Sequence, residues 1–215
     1  FMIFMVILLL LYTIRREVYD AEERSPLTGL NGNRRIKDHL KLIAKHKNRR
    51  VVVYFDFDYF KAFNDHFGFK KGDEVIDGFA RILKEEMKSK GGFLGHIGGD
   101  DFIMIAENVK IESYIEVVEN IQQRLREYGR SFYTPSEVER GFIIQTDRYD
   151  TQRHIPLLQV SAAVVFLEKD FEVSSIDDLS MHINKLKRQS KQDGIATMVL
   201  THHAELNYGD LTKNV

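Results

Sequence analysis

The sequence has no cysteine and almost no net charge. Without cysteine the chain cannot form disulfides, use a thiolate nucleophile or hold zinc through thiolates, and a reducing compartment is permitted. Its 31 Lys and Arg residues nearly balance its 32 Asp and Glu residues, so no overall field draws the chain onto nucleic acid. We therefore expect no nucleic-acid partner. An anionic ligand must be held by local geometry, and a small metal-chelated anion meets that condition.

The sequence also lacks internal repeats and low-complexity tracts. Hydrophobic residues make up 43% of the 215 residues and charged residues 29%, a balance typical of one globular domain with a short appendage. A second full domain is therefore not expected.

The first fourteen residues, FMIFMVILLLLYTI, carry no charge and are followed at once by Arg15 and Arg16. This stop-transfer pattern places the basic flank, and the chain after it, in the cytoplasm. Fourteen helical residues cover about 21 Å, less than the roughly 30 Å of a hydrocarbon core. We interpret 1–16 as the C-terminal part of a transmembrane helix in the bacterial inner membrane, with an upstream sensor beyond it. The alternatives are a cleaved signal peptide, which lacks its usual small residues here, and a buried core helix.

The remaining pattern predicts a helical stalk over 17–24, one α/β domain over 25–200 and a polar tail over 201–215. Apolar spacing predicts helices over 34–47, 59–67, 72–89, 110–128 and 175–190, and strands over 51–55, 93–97, 102–105, 142–145, 156–166 and 196–200. Helices that alternate with strands around one hairpin indicate a central mixed β-sheet flanked by helices.

Two acidic features lie where strands end. Asp56-Phe57-Asp58 follows a buried apolar run, and Gly98-Gly99-Asp100-Asp101 forms the expected turn of a hairpin. Mg²⁺ prefers hard oxygen ligands and commonly takes one or two carboxylates together with substrate phosphates. The glycines would let a ligand approach the backbone of the turn closely. Taken singly, either feature also occurs in ordinary loops and turns.

The order and spacing of these features closely resemble the signature blocks of the GGDEF diguanylate cyclase family. The blocks in this chain are Thr28-Gly29-Leu30, DFDYFKAFND from Asp56 to Asp65, Gly68, Gly72-Asp73 and GGDDF from Gly98 to Phe102. The resemblance implies a GGDEF fold, which is related to the palm of polymerases and class III nucleotide cyclases and carries the signature motif on a β-hairpin at the substrate site.

The resemblance also implies a metal site and a base site. Mg²⁺ or Mn²⁺, two ions per active site, would be held by Asp56, the backbone carbonyl of Phe57, Asp100 and Asp101. Asn64 and Asp73 would read the guanine edge. Asp73 would accept hydrogen bonds from the N1 and N2 donors that adenine lacks, which favours GTP over ATP as the substrate.

The phosphates of GTP would lie against the turn that opens a helix, where backbone N–H groups suit an anion. The resemblance assigns this role to Phe57, Asp58, Tyr59, Phe60 and Lys61, with Gly98, Gly99 and Lys191. It assigns catalysis to Asp100, Asp101 and Lys61. The implied reaction condenses two GTP to cyclic di-GMP and two pyrophosphates. Because each domain holds one GTP, the active species would be a homodimer, and a stalk that changes how the domains face would act as a switch.

The chain departs from the family pattern at several positions. Asp101 stands where the family usually has Glu, Ser25 where it has Asp, and His96 where it has Arg. We interpret Ser25 and His96 as the two ends of one polar contact that changed together. The Arg-x-x-Asp product-inhibition motif, expected just upstream of the hairpin, would fall on Ser89 and Gly92 and is absent there, so feedback through that site is not expected.

A further departure lies near the C-terminus, where Ile195 replaces an arginine that follows Lys191 in the family. These departures keep two other hypotheses open. One is a non-catalytic GTP-binding domain that regulates a sensor or a phosphodiesterase, and the other is a cyclase with a different cyclic nucleotide product, which Asp73 argues against.

Overall fold

The computed structural model describes residues 2–146, 151–167, 169, 181, 183–186, 188–189, 197–201 and 204–207. The helices are α1 (Met2–Glu22), α2 (Asn33–Lys45), α3 (Phe60–Phe67), α4 (Phe69–Met87), α5 (Ile111–Gly129) and α6 (Pro135–Arg140), with a 3-10 turn over Arg130–Phe132. The strands are β1 (Arg50–Asp58), β2 (Phe93–Gly98), β3 (Asp101–Glu107), β4 (Phe142–Thr146), β5 (Gln152–Pro156), β6 (Gln159–Leu167), β7 (Thr197–Thr201) and β8 (Ala204–Asn207).

The main sheet has the strand order β2-β3-β1-β6-β7-β8. The β6–β7 pair is parallel and the other pairs are antiparallel, so the sheet is mixed, as predicted. Strand β1 lies at the centre and is buried on both faces, which explains why its sequence is a continuous apolar run. Its side chains alternate between two cores, with Val51, Val53, Phe55 and Phe57 on one face and Val52 and Tyr54 on the other.

Helix α2 confirms the amphipathic pattern over 34–47, because Ile36, Leu40 and Ile43 are its buried residues. The helix ends at Lys45, where its last carbonyl groups need partners outside the helix. The buried guanidinium group of Arg50 donates to the carbonyl oxygens of Ile43 and His46 and so satisfies that end.

A cluster of aromatic rings fixes the hairpin β2–β3 to the helices beneath the sheet. Phe79 of α4 contacts Phe102 at a centroid distance of 5.0 Å and Phe57 at 5.1 Å, both edge to face. Phe57 also contacts Phe60 at the start of α3 at 5.2 Å. Phe102, which follows Asp101, and Phe57, which follows Asp56, are thereby held to one core, since such pairs favour a defined geometry.

The structure differs from the prediction in the connections. Helix α4 begins at Phe69, three residues before the predicted start, directly after Gly68 with φ 85. Part of the polar stretch after β4 forms β5, which pairs with β4 in a separate two-stranded sheet. The 3-10 turn and α6 were not predicted. Strand β5 exposes most of its residues, so the alternation that marks a half-buried strand is missing.

The C-terminal part of the chain is described in pieces. The described part of the helix predicted over 175–190 is helical and consists of Met181, residues 183–186 and residues 188–189. Ile183 and Leu186 are buried. Strand β7 confirms the strand predicted over 196–200. Residues Ala204–Asn207 form β8 and pair with β7, although the sequence predicted a polar tail over 201–215. Lys191 lies outside the described residues.

Helix α1 exposes all of its side chains from residue 2 to residue 14. Within the described part of the chain, we find no helix that combines the length and the hydropathy needed to cross a membrane.

Candidate active site

Three carboxylates meet at the end of the two central antiparallel strands. Asp56 of β1 lies directly opposite Asp101 of β3, and Asp100 precedes Asp101 at the tip of the hairpin. Each of the three offers an oxygen atom, and these atoms lie within 4.8 Å of one another. Asp56 is buried and the other two are half-buried. The structure therefore brings together the three side chains that the sequence assigned to metal binding.

The composition of this cluster fits a hard divalent cation. Its donors are all carboxylate oxygens, the ligands that Mg²⁺ and Mn²⁺ prefer. Three like charges at this separation also repel one another, and a cation removes that cost. The side chain of Phe57 is buried in the core, so this residue can contribute only its backbone, in keeping with the role that the resemblance implies.

The sequence placed Asp101 in the turn, but the structure places it on a strand. It pairs with Gly98 and with Asp56 as the first residue of β3, so the turn itself consists of Gly99 and Asp100. Gly98 and Gly99 have φ angles of 140 and 58, which L side chains rarely adopt. Among the described residues other than the glycine itself and its two chain neighbours, no atom lies within 4 Å of the point that a Cβ would occupy at either glycine. A ligand can therefore reach the backbone of the turn.

The predicted phosphate turn opens helix α3. Tyr59 precedes the helix in the left-handed conformation with φ 56 and ψ 25, and its side chain makes no capping hydrogen bond to this helix end. The first N–H groups of a helix have no intrahelical partner, so they can point at an anion. Lys61 lies exposed in the first turn. Asp58, in contrast, turns its carboxylate to β6, where Ser161 Oγ donates to both oxygens at 2.9 and 2.8 Å.

The predicted guanine-reading residues lie at the junction of α3 and α4. A Cβ atom on Gly72 would come within 1.9 Å of Asn64 Oδ1, so the glycine lets the Asn64 amide lie across the first turn of α4. Asn64 Oδ1 is buried and has no hydrogen-bond partner among the described residues. Asp73 follows Gly72 and is exposed. A buried acceptor beside an exposed carboxylate matches the donors of a guanine edge.

His96 connects the turn that contains Ser25 to the β2–β3 hairpin. The sequence predicted the contact of His96 with Ser25 but not its contact with Gly99. Ser25 Oγ lies 2.7 Å from His96 Nδ1, which confirms the hypothesis of one polar contact. His96 Nε2 lies 3.1 Å from the carbonyl oxygen of Gly99, which can only accept. In the neutral ring Nε2 therefore carries the proton, and Ser25 donates to Nδ1. The His96 ring also stacks on Phe102, at 4.5 Å.

Tyr54 is a residue of this site that sequence reasoning missed. Burial, a hydrogen bond to Asp101 and the negative charges of Asp101 and Asp100 all raise the pKa of the Tyr54 hydroxyl. The apolar pattern of β1 gave no signal for this contact. Only the register of β1 against β3 reveals it.

The chain belongs to the GGDEF family of diguanylate cyclase domains, since residues 23–153, more than half of the chain, match that family. It is 33% identical over 119 residues to a diguanylate cyclase of Vibrio cholerae, a match that covers 54% of this chain and 37% of the relative. It is 24% identical over 143 residues to an uncharacterized membrane protein of Staphylococcus epidermidis, covering 60% of this chain and 39% of the relative. The chain thus spans well under half the length of these curated relatives.

Solved structures confirm the predicted fold class. The coiled coil and GGDEF domain of DgcB from Caulobacter crescentus, in complex with c-di-GMP, superposes with a TM-score of 0.67 at 20% sequence identity. This match covers 92% of the present chain and 94% of the DgcB chain. At this identity the likeness establishes the fold.

Proposed function

We propose that this chain is a diguanylate cyclase, which condenses two GTP molecules to cyclic di-GMP and releases two pyrophosphates. The observation that carries the proposal is the cluster of Asp56, Asp100 and Asp101, whose oxygens lie within 4.8 Å of one another beside the open backbone of Gly98 and Gly99. This arrangement suits a metal-chelated triphosphate. The relatives named as diguanylate cyclases support the same reaction.

In each half of the reaction, the 3′-oxygen of one GTP attacks the α-phosphorus of the other. The bond from that phosphorus to the bridging oxygen of pyrophosphate breaks, and the hydroxyl proton leaves to water. Asp56, Asp100, Asp101 and the Phe57 carbonyl would hold two Mg²⁺ or Mn²⁺ ions. When bound, these ions lower the pKa of the attacking hydroxyl and neutralise charge on the phosphates.

The other residues of the site bind and orient the substrate. The backbone from Phe57 to Phe60 and the ammonium group of Lys61 hold the phosphates, with Lys191 as a further cation. Asn64 and Asp73 read guanine. Positioning of this kind supplies much of the rate in phosphoryl transfer, because the transition state needs little covalent help from the protein.

The proposed active form is a homodimer, since one domain holds one GTP and the reaction joins two. We further propose that the domain works on the cytoplasmic side of a bacterial membrane, below an upstream sensor. Two observations support this location. Residues 2–14 are mostly apolar and exposed, and Arg15 and Arg16 follow them. Several relatives are also described as membrane proteins.

The test is chromatography of products after the chain, held as a dimer by a fused coiled coil, is incubated with GTP and Mg²⁺. We expect cyclic di-GMP and pyrophosphate, and none from an Asp100→Asn variant. If GTP binds but neither protein forms the product, the cyclase proposal is wrong and the domain is a GTP-binding regulatory module.

A further inference from the structure

We propose that Tyr54 is a positioning residue for the shortened GGDDF motif, and that its hydroxyl orients the Asp101 carboxylate toward the cation site shared with Asp56 and Asp100. The inference rests on the proposed metal site and adds a residue to it. It explains how an aspartate can serve where the family uses the longer glutamate.

The register of the sheet places the two side chains together. Tyr54 lies opposite Ile103 and Asp56 lies opposite Asp101, so Tyr54 and Asp101 are diagonal neighbours on one face of the β1–β3 pair. Diagonal neighbours of this kind are within reach of an aromatic side chain. The Tyr54 hydroxyl hydrogen-bonds to Asp101.

The surroundings of Tyr54 fix its direction. Its ring packs against the second core, beside the buried side chains of Val52 and Ile103. A ring packed in this way keeps its hydroxyl in one place, and the hydroxyl emerges next to the acidic cluster. Because Asp101 is the first residue of β3, its backbone is also fixed by pairing with Asp56.

A carboxylate has two oxygen atoms and can accept several hydrogen bonds. One oxygen of Asp101 can accept from Tyr54 while the other faces the cation site. Groups that hydrogen-bond to a metal ligand fix the orientation of that ligand, and their loss typically costs 10- to 100-fold in metal affinity. Without the Tyr54 hydroxyl, repulsion from the like charge of Asp56 would favour rotation of the Asp101 carboxylate away from the shared site.

The test is Mn²⁺ binding without nucleotide, followed by electron paramagnetic resonance of the free ion, for the parent and for Tyr54→Phe. We expect Tyr54→Phe to bind Mn²⁺ about tenfold more weakly. The matched control is Tyr114→Phe, because it removes another buried hydroxyl, which contacts Met87 on the opposite face of the sheet. The control should bind Mn²⁺ like the parent, and both variants should still unfold in one cooperative thermal transition, which shows that they are folded.

A second background separates positioning from general packing. In Asp101→Glu, the carboxylate lies one methylene further from the strand and leaves the position in which it accepts from the Tyr54 hydroxyl, so adding Tyr54→Phe should cost much less Mn²⁺ affinity than it does in the parent. Equal losses in the two backgrounds, or no loss in the parent, would overturn the inference.

The same measurement distinguishes this inference from the proposed function. If the parent forms no cyclic di-GMP but Mn²⁺ binding depends on Tyr54 as expected, the positioning role stands and the cyclase proposal falls. If the parent forms cyclic di-GMP and Tyr54→Phe keeps both its Mn²⁺ affinity and its Mg²⁺ requirement for turnover, the cyclase proposal stands and the role of Tyr54 is wrong.

Discussion

The hydroxyl oxygen of Ser25 lies 2.7 Å from Nδ1 of His96, across 71 positions of the sequence. His96 also lies within hydrogen-bond distance of the carbonyl oxygen of Gly99, so one buried imidazole connects the segment that follows α1 to the turn of the β2–β3 hairpin. Two hydrogen bonds and one stacked ring therefore join the segment after α1 to the hairpin that carries Asp100 and Asp101.

We expect Ser25→Ala to lower the free energy of unfolding by about 1 kcal/mol, because it removes a net hydrogen bond and leaves His96 Nδ1 without that donor. The measurement is equilibrium denaturation by urea. Ser131→Ala is the matched control, since its hydroxyl donates to the Tyr128 carbonyl at an exposed position and should matter by less than about 0.5 kcal/mol. Equal effects of the two substitutions would contradict the prediction.

Asp100→Asn removes one of the three carboxylates and should reduce cyclic di-GMP formation at least about 100-fold, since metal assistance is worth several kcal/mol. Product formation at saturating GTP and Mg²⁺ measures the effect. Asp38→Asn is the control, because Asp38 lies exposed on α2 and pairs only weakly, at 3.6 Å, with Lys41. An Asp100→Asn variant with the parent's rate would show that the cluster is not the catalytic metal site.

Gly72→Ala should weaken GTP binding, because its new Cβ would fall 1.9 Å from Asn64 Oδ1 and displace that amide. Direct titration with GTP measures the loss. The double variant Asn64→Ala/Gly72→Ala removes the obstructed group, so it should unfold at a higher temperature than Gly72→Ala while binding GTP no better. If Gly72→Ala binds GTP like the parent, Asn64 does not read the base.

Asp73→Ala should reduce the preference for GTP over ATP about tenfold or more, because hydrogen bonds to a charged group are worth about 1.5–3 kcal/mol. Competition between the two nucleotides for binding measures this preference. Asp77 lies one turn further along α4 and forms an ion pair with Arg81, so Asp77→Ala is the matched control and should keep the parent's preference. The prediction fails if both variants lose selectivity alike.

The sequence predicted the fold where side-chain periodicity carries the information. The buried run of β1 and the stripe of Ile36, Leu40 and Ile43 on α2 were both predicted correctly, because burial imposes a period on the sequence. The exposed strand β5 has no such period and was missed. The early start of α4 was also missed, since a helix boundary depends on backbone geometry at Gly68 more than on composition.

The sequence also predicted which carboxylates come together, through the spacing of the signature blocks. It could not predict that Asp101 is a strand residue, because Gly-Gly-Asp-Asp has the composition of a turn throughout. Nor could it predict the hydrogen bond from Tyr54 to Asp101 or the hydrogen bond from Ser161 to Asp58. Both join residues on neighbouring strands, and only the register of the sheet brings such residues within reach.

The direct pairing of Asp56 with Asp101 has a thermodynamic consequence for the folded chain. Like charges directly opposite each other destabilise an antiparallel pair. At this end of the sheet the backbone hydrogen bonds stabilise the pairing, and the repulsion between the two carboxylates opposes it. A cation that binds the folded state alone raises stability by mass action, by about 2.7 kcal/mol at 100 times its dissociation constant. We expect Mg²⁺ to raise the melting temperature of the parent, and Asp101→Asn to melt higher than the parent in chelator while gaining less from Mg²⁺. The concentration of free magnesium in the cell would then set the stability of this end of the sheet.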